Sequence, residues 1–440
     1  MKMKLFALFV LACIGHAYSQ GIKVSRYELK TPPLLGQFHG VPVREGGISG
    51  LCCVHGLKHE FFLITDRGPN ADASKANSGV ETVLFPFPDY APRILRVRLQ
   101  GDSLRILEAM ALKRPDGATV SGIPHPSGPG NSEVAWVDTN RLLAKRDEWG
   151  IDSESLAIDR NGDFWVGDEY GPTIWHVHGK SGQVIERYGL ADSSAVAQKV
   201  DRVLARRRVN RGFEAIAITP NGKLYAMLQS PLDHPDKAAG DASRLHRIFE
   251  IDPVTQSTRM FVYEHEAPSG CLTNSDWSVS DMAAINDHEL LVLEHAAADG
   301  GNVKKIFKID LLPATPVIGE DVNGSTLEQL GNAETCVANG ILPVHKTLLM
   351  DLLANTWDPL HEKPEGLAVV DDTTLAVIND NDFAVDSPEG NGTLVSTGVK
   401  TVLYQFTLPA AMALQFVETC QPETARGLEW SDSLQLLKCK

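Results

Sequence analysis

Past its first twenty residues the chain has no apolar run near the roughly 18 residues needed to span a bilayer, which argues against a transmembrane helix. A Gly-x-Ser-x-Gly elbow is missing as well, and Ser49, in Gly47-Ile48-Ser49-Gly50, opens a repeat instead of a strand-to-helix turn, so nothing supports a covalent nucleophile. No glycine-rich phosphate loop precedes a helix. Positive charge is scarce: the formal net charge is −15, and it falls to −17 once Lys2 and Lys4 are removed with the leader. Such a balance argues against nucleic acid as a partner, because a phosphate backbone needs basic neutralisation. Cysteines are few and lack the paired spacing of a zinc site. Segments with helical period are almost absent apart from Ala191 to Val209, which reads as a helix ending in the solvated run Arg206-Arg207-Arg208. That scarcity counts against a doubly wound α/β fold.

What is present begins with a leader. Lys2 and Lys4 precede the apolar run Leu5 to Ile14, with small or polar residues through Ala17 and Ser19, so residues 1–20 read as a secretory signal. Val10-Leu11-Ala12-Cys13 also leaves open lipid attachment at Cys13. Residues 21–440 are then one exported domain, and in an oxidising compartment the six remaining cysteines permit disulfides, with Cys420 and Cys439 spaced to staple the C-terminal tail. Asn323-Gly324-Ser325 and Asn391-Gly392-Thr393 are glycosylation sequons, meaningful in a eukaryotic source.

The mature chain is repetitive. One unit reads Glu154-Ser155-Leu156-Ala157-Ile158-Asp159, the turn Arg160-Asn161-Gly162-Asp163, the strand Phe164-Trp165-Val166, the cluster Asp168-Glu169-Tyr170 and a further strand Ile174-Trp175-His176-Val177. The same grammar recurs from Glu214, from Asp281 and from Glu365, and more loosely from Ser49. Each unit is a small antiparallel sheet joined by tight turns, and a sheet this small must stack on its neighbours to bury its faces. Radial stacking gives an all-β propeller of three- to four-stranded blades. The long interval between Ser49 and Glu154 leaves room for a hidden unit, so six blades are expected, with five or seven as alternatives. Leu312 to Ala338 reads as an inserted surface loop.

In a propeller the innermost strands line a central channel, so residues opening successive repeats converge. Glu154, Glu214, Asp281 and Glu365 should therefore meet around the axis, where clustered carboxylates call for a cation. Hard oxygen ligands from separate strands suit calcium. A second polar layer follows the second strands and varies between copies. Asp168, Glu169, Glu294, His295 and Asp380 are candidates for proton and water handling, and Arg67, Arg211 and Tyr170 for gripping a substrate anion.

The stretches Glu45-Gly46-Gly47-Ile48-Ser49-Gly50-Leu51, Asp152 through Ala157 continuing to Pro172, Asn210 through Gly222, and Pro364-Glu365-Gly366-Leu367-Ala368-Val369 resemble the phytase-like domain family, described by the esterase-like activity of phytase. The resemblance spans roughly residues 40 to 410 and implies an exported propeller with hydrolytic activity. The Glu-x-Leu-Ala units are also similar to those of calcium-dependent lactonases, whose corresponding acid binds the metal. Together these readings point to a secreted, metal-assisted hydrolase of small phosphate or carboxylic esters. A calcium-dependent lactonase and a non-catalytic, calcium-stabilised binding propeller for a secreted partner or glycan are the alternatives.

Overall fold

The structure is a computed structural model that describes residues 21–125, 133–190, 197–198, 200–298, 300–317, 319, 321–418, 430–431 and 433–434. Residues 1–20, where a secretory leader and lipid attachment at Cys13 are expected, and the pair Cys420 and Cys439 lie outside the described residues, among which Cys52, Cys53 and Cys336 are free thiols.

Five blades of four antiparallel strands surround one axis, two of them joined edge to edge into one eight-stranded sheet by the parallel pair Glu28↔Ser103. Blade one is built from Ile48–Val54, Leu57–Thr65, Arg93–Gln100 and Ser103–Ala111; blade two from Ser153–Ile158, Phe164–Asp168, Thr173–Val177 and Val184–Gly189. Blade three comprises Phe213–Ile218, Leu224–Leu228, Leu245–Ile251 and Thr258–Glu264, and blade four Trp277–Ala284, Glu289–Ala298, Gly301–Asp310 and His345–Asp351. Blade five takes Lys363–Asp371, Thr374–Asp380 and Val402–Thr407, and is completed by the N-terminal strand Lys23–Glu28. The register Lys23↔Thr407 to Glu28↔Val402 thus closes the ring by pairing the two ends of the propeller.

The blade count is five instead of the expected six. The interval after blade one's first strand holds that blade's own remaining strands and an irregular excursion, plus a three-stranded accessory sheet of Ala71–Asp72, Thr82–Leu84 and Val134–Trp136. The expected helix from Ala191 to Val209 is, in its described part, a two-residue strand and a short 3-10 turn, Arg202–Arg206. Its basic run is solvated only at Arg206: Arg207 is buried and donates to the Tyr170 carbonyl, while Arg208 pairs with Asp233 and Asp241. The insertion after Leu312 carries two short helices, Leu327–Leu330 and Ala333–Ala338, held to blade three by the buried Arg247–Glu328 ion pair at 3.0 Å.

Period-two alternation explains why the strands are apolar on both faces. Along Phe164-Trp165-Val166, Phe164 and Val166 pack toward blade one, with Phe62 edge-on to Phe164 at 5.0 Å, while Trp165 packs toward Phe213 and Phe249 of blade three. Comparable layers lie between blades three and four around Tyr225 and Val292, between four and five around Leu291 and Tyr404, and between five and one around Leu403 and Phe61. Each sheet is therefore buried twice, and near-continuous apolar runs replace the alternation of a half-exposed sheet.

Candidate functional site

All five innermost strands break register at the same point. The shifts fall between Ile48 and Gly50, Ser153 and Ser155, Phe213 and Ala215, Val279 and Asp281, and Pro364 and Gly366. The extra residues are Ser49, Glu154, Glu214, Ser280 and Glu365. A bulge leaves one residue unpaired and re-aims its side chain, which is how one position in each blade escapes the ladder. The residue after each bulge sits where neighbouring inner strands nearly touch. A Cβ at Gly50 would meet the Leu156 amide nitrogen at 2.8 Å, and one at Gly366 the Leu51 Cβ at 2.6 Å.

Asp281 occupies this second position, one residue beyond the bulge. Its Oδ1 accepts the Met282 amide at 2.8 Å and its Oδ2 the Leu367 amide at 2.7 Å, tying blade four to blade five. In its place at the bulge stands Ser280, whose hydroxyl lies 2.7 Å from His295 Nδ1.

The second strands return to the same end of the molecule and add Asp66, Asp168, Glu169, Gln229, His295, Asp380 and Asp382. Asp152, Glu154 and Glu169 bring carboxylate oxygens within 4.8 Å of one another. Arg67 Nε stands 3.4 Å from Asp152 and its Nη1 3.2 Å from Glu133, with Tyr170 and Phe85 against the guanidinium. Gln229 donates to Glu214 Oε1 at 3.1 Å. Lys363 bridges Asp382 at 2.6 Å and Asp380 at 3.4 Å. The Asp382-Phe383-Ala384 run is held at φ of 48°, 54° and 55°, a left-handed stretch of the kind that structure tolerates where a side chain must be aimed.

This mouth is short of positive charge. Burial and then neighbouring acids push the carboxyls of Asp66, Glu154, Glu169 and Glu214 well above the usual range. Burial raises Glu365 to about 8 and Asp380 to about 7, with Lys363 opposing both. Burial, with Lys304, Lys363 and Arg211 nearby, takes His295 down to about 3, so its ring is neutral. Three buried atoms here have no hydrogen-bond partner among the described residues: Glu214 Oε2, Glu365 Oε2 and Ser155 Oγ. Partnerless buried oxygens are uncommon, and a cation among them would supply what is missing.

Other sequence-derived candidates are engaged elsewhere. Glu294 is fully buried and accepts from Tyr263, Lys346, Trp277 Nε1 at 2.9 Å and the Glu266 amide at 3.2 Å, which places it between blades three and four. Adjacent residues of a strand face opposite ways, so Glu294 and His295 do not form a working pair. Asp168 caps its turn, accepting the Asp152 and Tyr170 amides at 3.2 and 3.1 Å and the Thr173 hydroxyl at 2.6 Å. Tyr170 donates to the Gly122 carbonyl at 2.6 Å. Arg211 donates to Ser278 Oγ at 3.4 Å, and its charge bears on Glu169 and Glu214. The residues that repeat counting missed are Asp152, Ser280, Glu133 and Lys363. Asp152 is signalled by the Asp-x-Glu spacing and Ser280 by its place before Asp281-Met282-Ala283; Glu133 carries no local signal.

Among known proteins, a secreted, uncharacterised protein of Arthroderma benhamiae is 27% identical over 192 residues, 37% of this chain and 37% of that protein's length. Solved structures that align over most of the chain include the PQQ-bound aldose sugar dehydrogenase of Streptomyces coelicolor (11% identity, 87% of this chain and 98% of that one, TM-score 0.30). Virginiamycin B lyase of Staphylococcus aureus aligns similarly (12% identity, 88% and 100%, TM-score 0.29). Among the described residues no helix is long and apolar enough to cross a membrane. The family model for the esterase-like activity of phytase matches residues 43–383, and the chain belongs to this phytase-like family.

Proposed function

We propose that the protein is an exported, cation-assisted hydrolase of small phosphate or carboxylic esters that works in the acidic mouth. Membership of the phytase-like family supports a hydrolase-type function. The observation that carries the cation is the set of buried, partnerless oxygens of Glu214 and Glu365 beside the converging oxygens of Asp152, Glu154 and Glu169. An all-oxygen donor set from separate strands suits calcium. When bound, such an ion polarises the ester oxygen and lowers the pKa of a coordinated water.

The remaining roles belong to the chain. Glu154, Glu214 and Glu365, with Asp152 and Glu169, hold the ion, while Asp281 fixes the spacing of two blades that contribute to the ring. Arg67 keeps Asp152 and Glu133 in place, and Arg211 offers a guanidinium to the substrate's anionic part. Asp380, raised to about 7, exchanges protons near neutral pH, the range useful for general acid–base work, while Glu365 is left to the ion. Ser280 orients the His295 ring through Nδ1.

The test is a Glu154→Gln, Glu365→Gln double variant assayed against ester and phosphoester panels, with calcium-dependent melting alongside. Loss of hydrolysis and of calcium stabilisation in a folded variant is expected. Full activity in that variant would sink the reading, and calcium stabilisation of the wild type without turnover on any substrate would point to a binding propeller.

A further inference from the structure

A second constellation lies at the other end of blade two, away from the mouth. Asp159 and Asp163 flank the turn Arg160-Asn161-Gly162 that joins the innermost strand to the next, and His176 stands on the third strand directly across from Trp165. Asp159 Oδ1 accepts the amides of Asn161 at 2.8 Å and Asp163 at 3.1 Å, and Asp163 Oδ1 accepts the Gly179 amide at 2.8 Å. Each carboxylate thus commits one oxygen to the backbone and turns the other toward the imidazole. Those two Oδ2 atoms stand 3.9 and 3.8 Å from His176 Nε2, and the three ligand atoms lie within 4.8 Å of one another.

The ring is fixed in this pose. It stacks on Trp165 with centroids 4.2 Å apart and planes 10° from parallel, and Trp165 Nε1 donates to Asp159 Oδ2 at 3.3 Å. His176 Nε2 is buried and has no hydrogen-bond partner among the described residues. An ordinary ion pair does not account for this arrangement, since a protonated imidazole closes to about 2.7–2.9 Å on one oxygen. Here the nitrogen stands off almost equally from both. Nitrogen and oxygen donors about 2.0–2.2 Å from a shared tetrahedral centre lie about 3.3–3.6 Å from each other, so a contraction of a few tenths of an ångström from the 3.9 and 3.8 Å seen here would close the site.

We propose that Asp159, Asp163 and His176 form a divalent transition-metal site of zinc type that clamps the first turn of blade two to its third strand. One imidazole with two carboxylates selects a borderline ion, in contrast to the all-oxygen mouth that suits calcium. Carboxylate oxygens held by backbone amides, and an indole donor on Asp159, are the outer-shell supports such sites need. This proposal is independent of the hydrolase reading.

The experiment uses the full chain stripped with a chelator and titrated with zinc chloride, followed by calorimetry and thermal melting. Wild type and the mouth variant Glu154→Gln, Glu365→Gln should each bind one equivalent that calcium does not replace. Asp163→Asn, which keeps an oxygen for the Gly179 amide, and His176→Gln should each weaken that binding about tenfold or more. If His176→Gln does not fold, Asp163→Asn decides. Zinc affinity unchanged in Asp163→Asn, loss of the equivalent in the mouth variant alone, or no zinc uptake by folded wild type would each overturn the proposal.

Discussion

The same five innermost strands make two opposite environments. At their starts, five bulges turn Ser49, Glu154, Glu214, Ser280 and Glu365 out of the ladder and into a crowd of acids. Two residues on, the same strands present the apolar Leu51, Leu156, Ile216, Met282 and Leu367, which border a cavity of about 280 Å³ at the other end whose wall also takes in His55, Lys58, Phe416 and Glu418. All five ladders are interrupted at the acidic end, whereas at the other end only blades one and five shift register, between Cys53 and Val54 and between Val369 and Asp371. Chemistry therefore sits where every blade breaks its ladder, while the paired stretch between supplies stability.

That contrast is most sharply broken at Leu156, a 2% exposed side chain in the layer between blades one and two. Leu156→Ala should cost about 2–5 kcal/mol, measured by denaturant unfolding, yet leave the affinity for calcium unchanged. The complementary change is at the mouth. In wild type, calcium at a hundredfold excess over its dissociation constant should add about 2.7 kcal/mol of stability, and Glu214→Gln should remove most of that gain. Equal sensitivity of both variants to calcium would erase the distinction between the two ends.

The fold was largely legible because each blade repeats a strand, a tight turn and a second apolar strand, a pattern that only stacking sheets can bury. The blade count was not, since the accessory strands of residues 71–136 have strand-like composition without belonging to the ring. The site was legible in part. Counting acids gives Asp281 as the fourth member of the ring, whereas aligning the apolar residue and following alanine, as in Leu156-Ala157, Ile216-Ala217, Met282-Ala283 and Leu367-Ala368, puts Ser280 there. The bulge itself leaves no mark in composition, because a one-residue shift is a property of pairing between strands. Glu294 misled for the same kind of reason: its neighbour His295 faces Ser280, and only the pleat tells the two sides apart.

A smaller effect is expected at the tight seam between the two regions. Gly50→Ala would place a Cβ 2.8 Å from the Leu156 amide and 2.9 Å from the Ser155 carbonyl carbon, backbone atoms of the adjoining blade that cannot swing aside. Overpacking of this kind costs about 1–3 kcal/mol, and because it pushes on the strand that carries Glu154 it should also weaken calcium binding. Normal calcium affinity in a destabilised Gly50→Ala protein would show that the bulges are positioned independently of the seam.

The gentlest probe is pH. Glu365 and Asp380, raised to about 8 and about 7, hold protons in the folded chain that the unfolded chain releases near the ordinary carboxylate range. Their contribution to stability is thus complete below the unfolded values and is lost as pH rises through about 7 and about 8, with a limiting slope of about 1.4 kcal/mol per pH unit for each proton. Metal-free protein should accordingly melt at progressively lower temperature from pH 5 to pH 9. A saturating cation competes with those protons and should flatten the profile in wild type; Leu156→Ala should keep that flattening, whereas Glu365→Gln should show a shallower slope even without metal. A pH profile indifferent to calcium would separate the titrating carboxyls from the cation site.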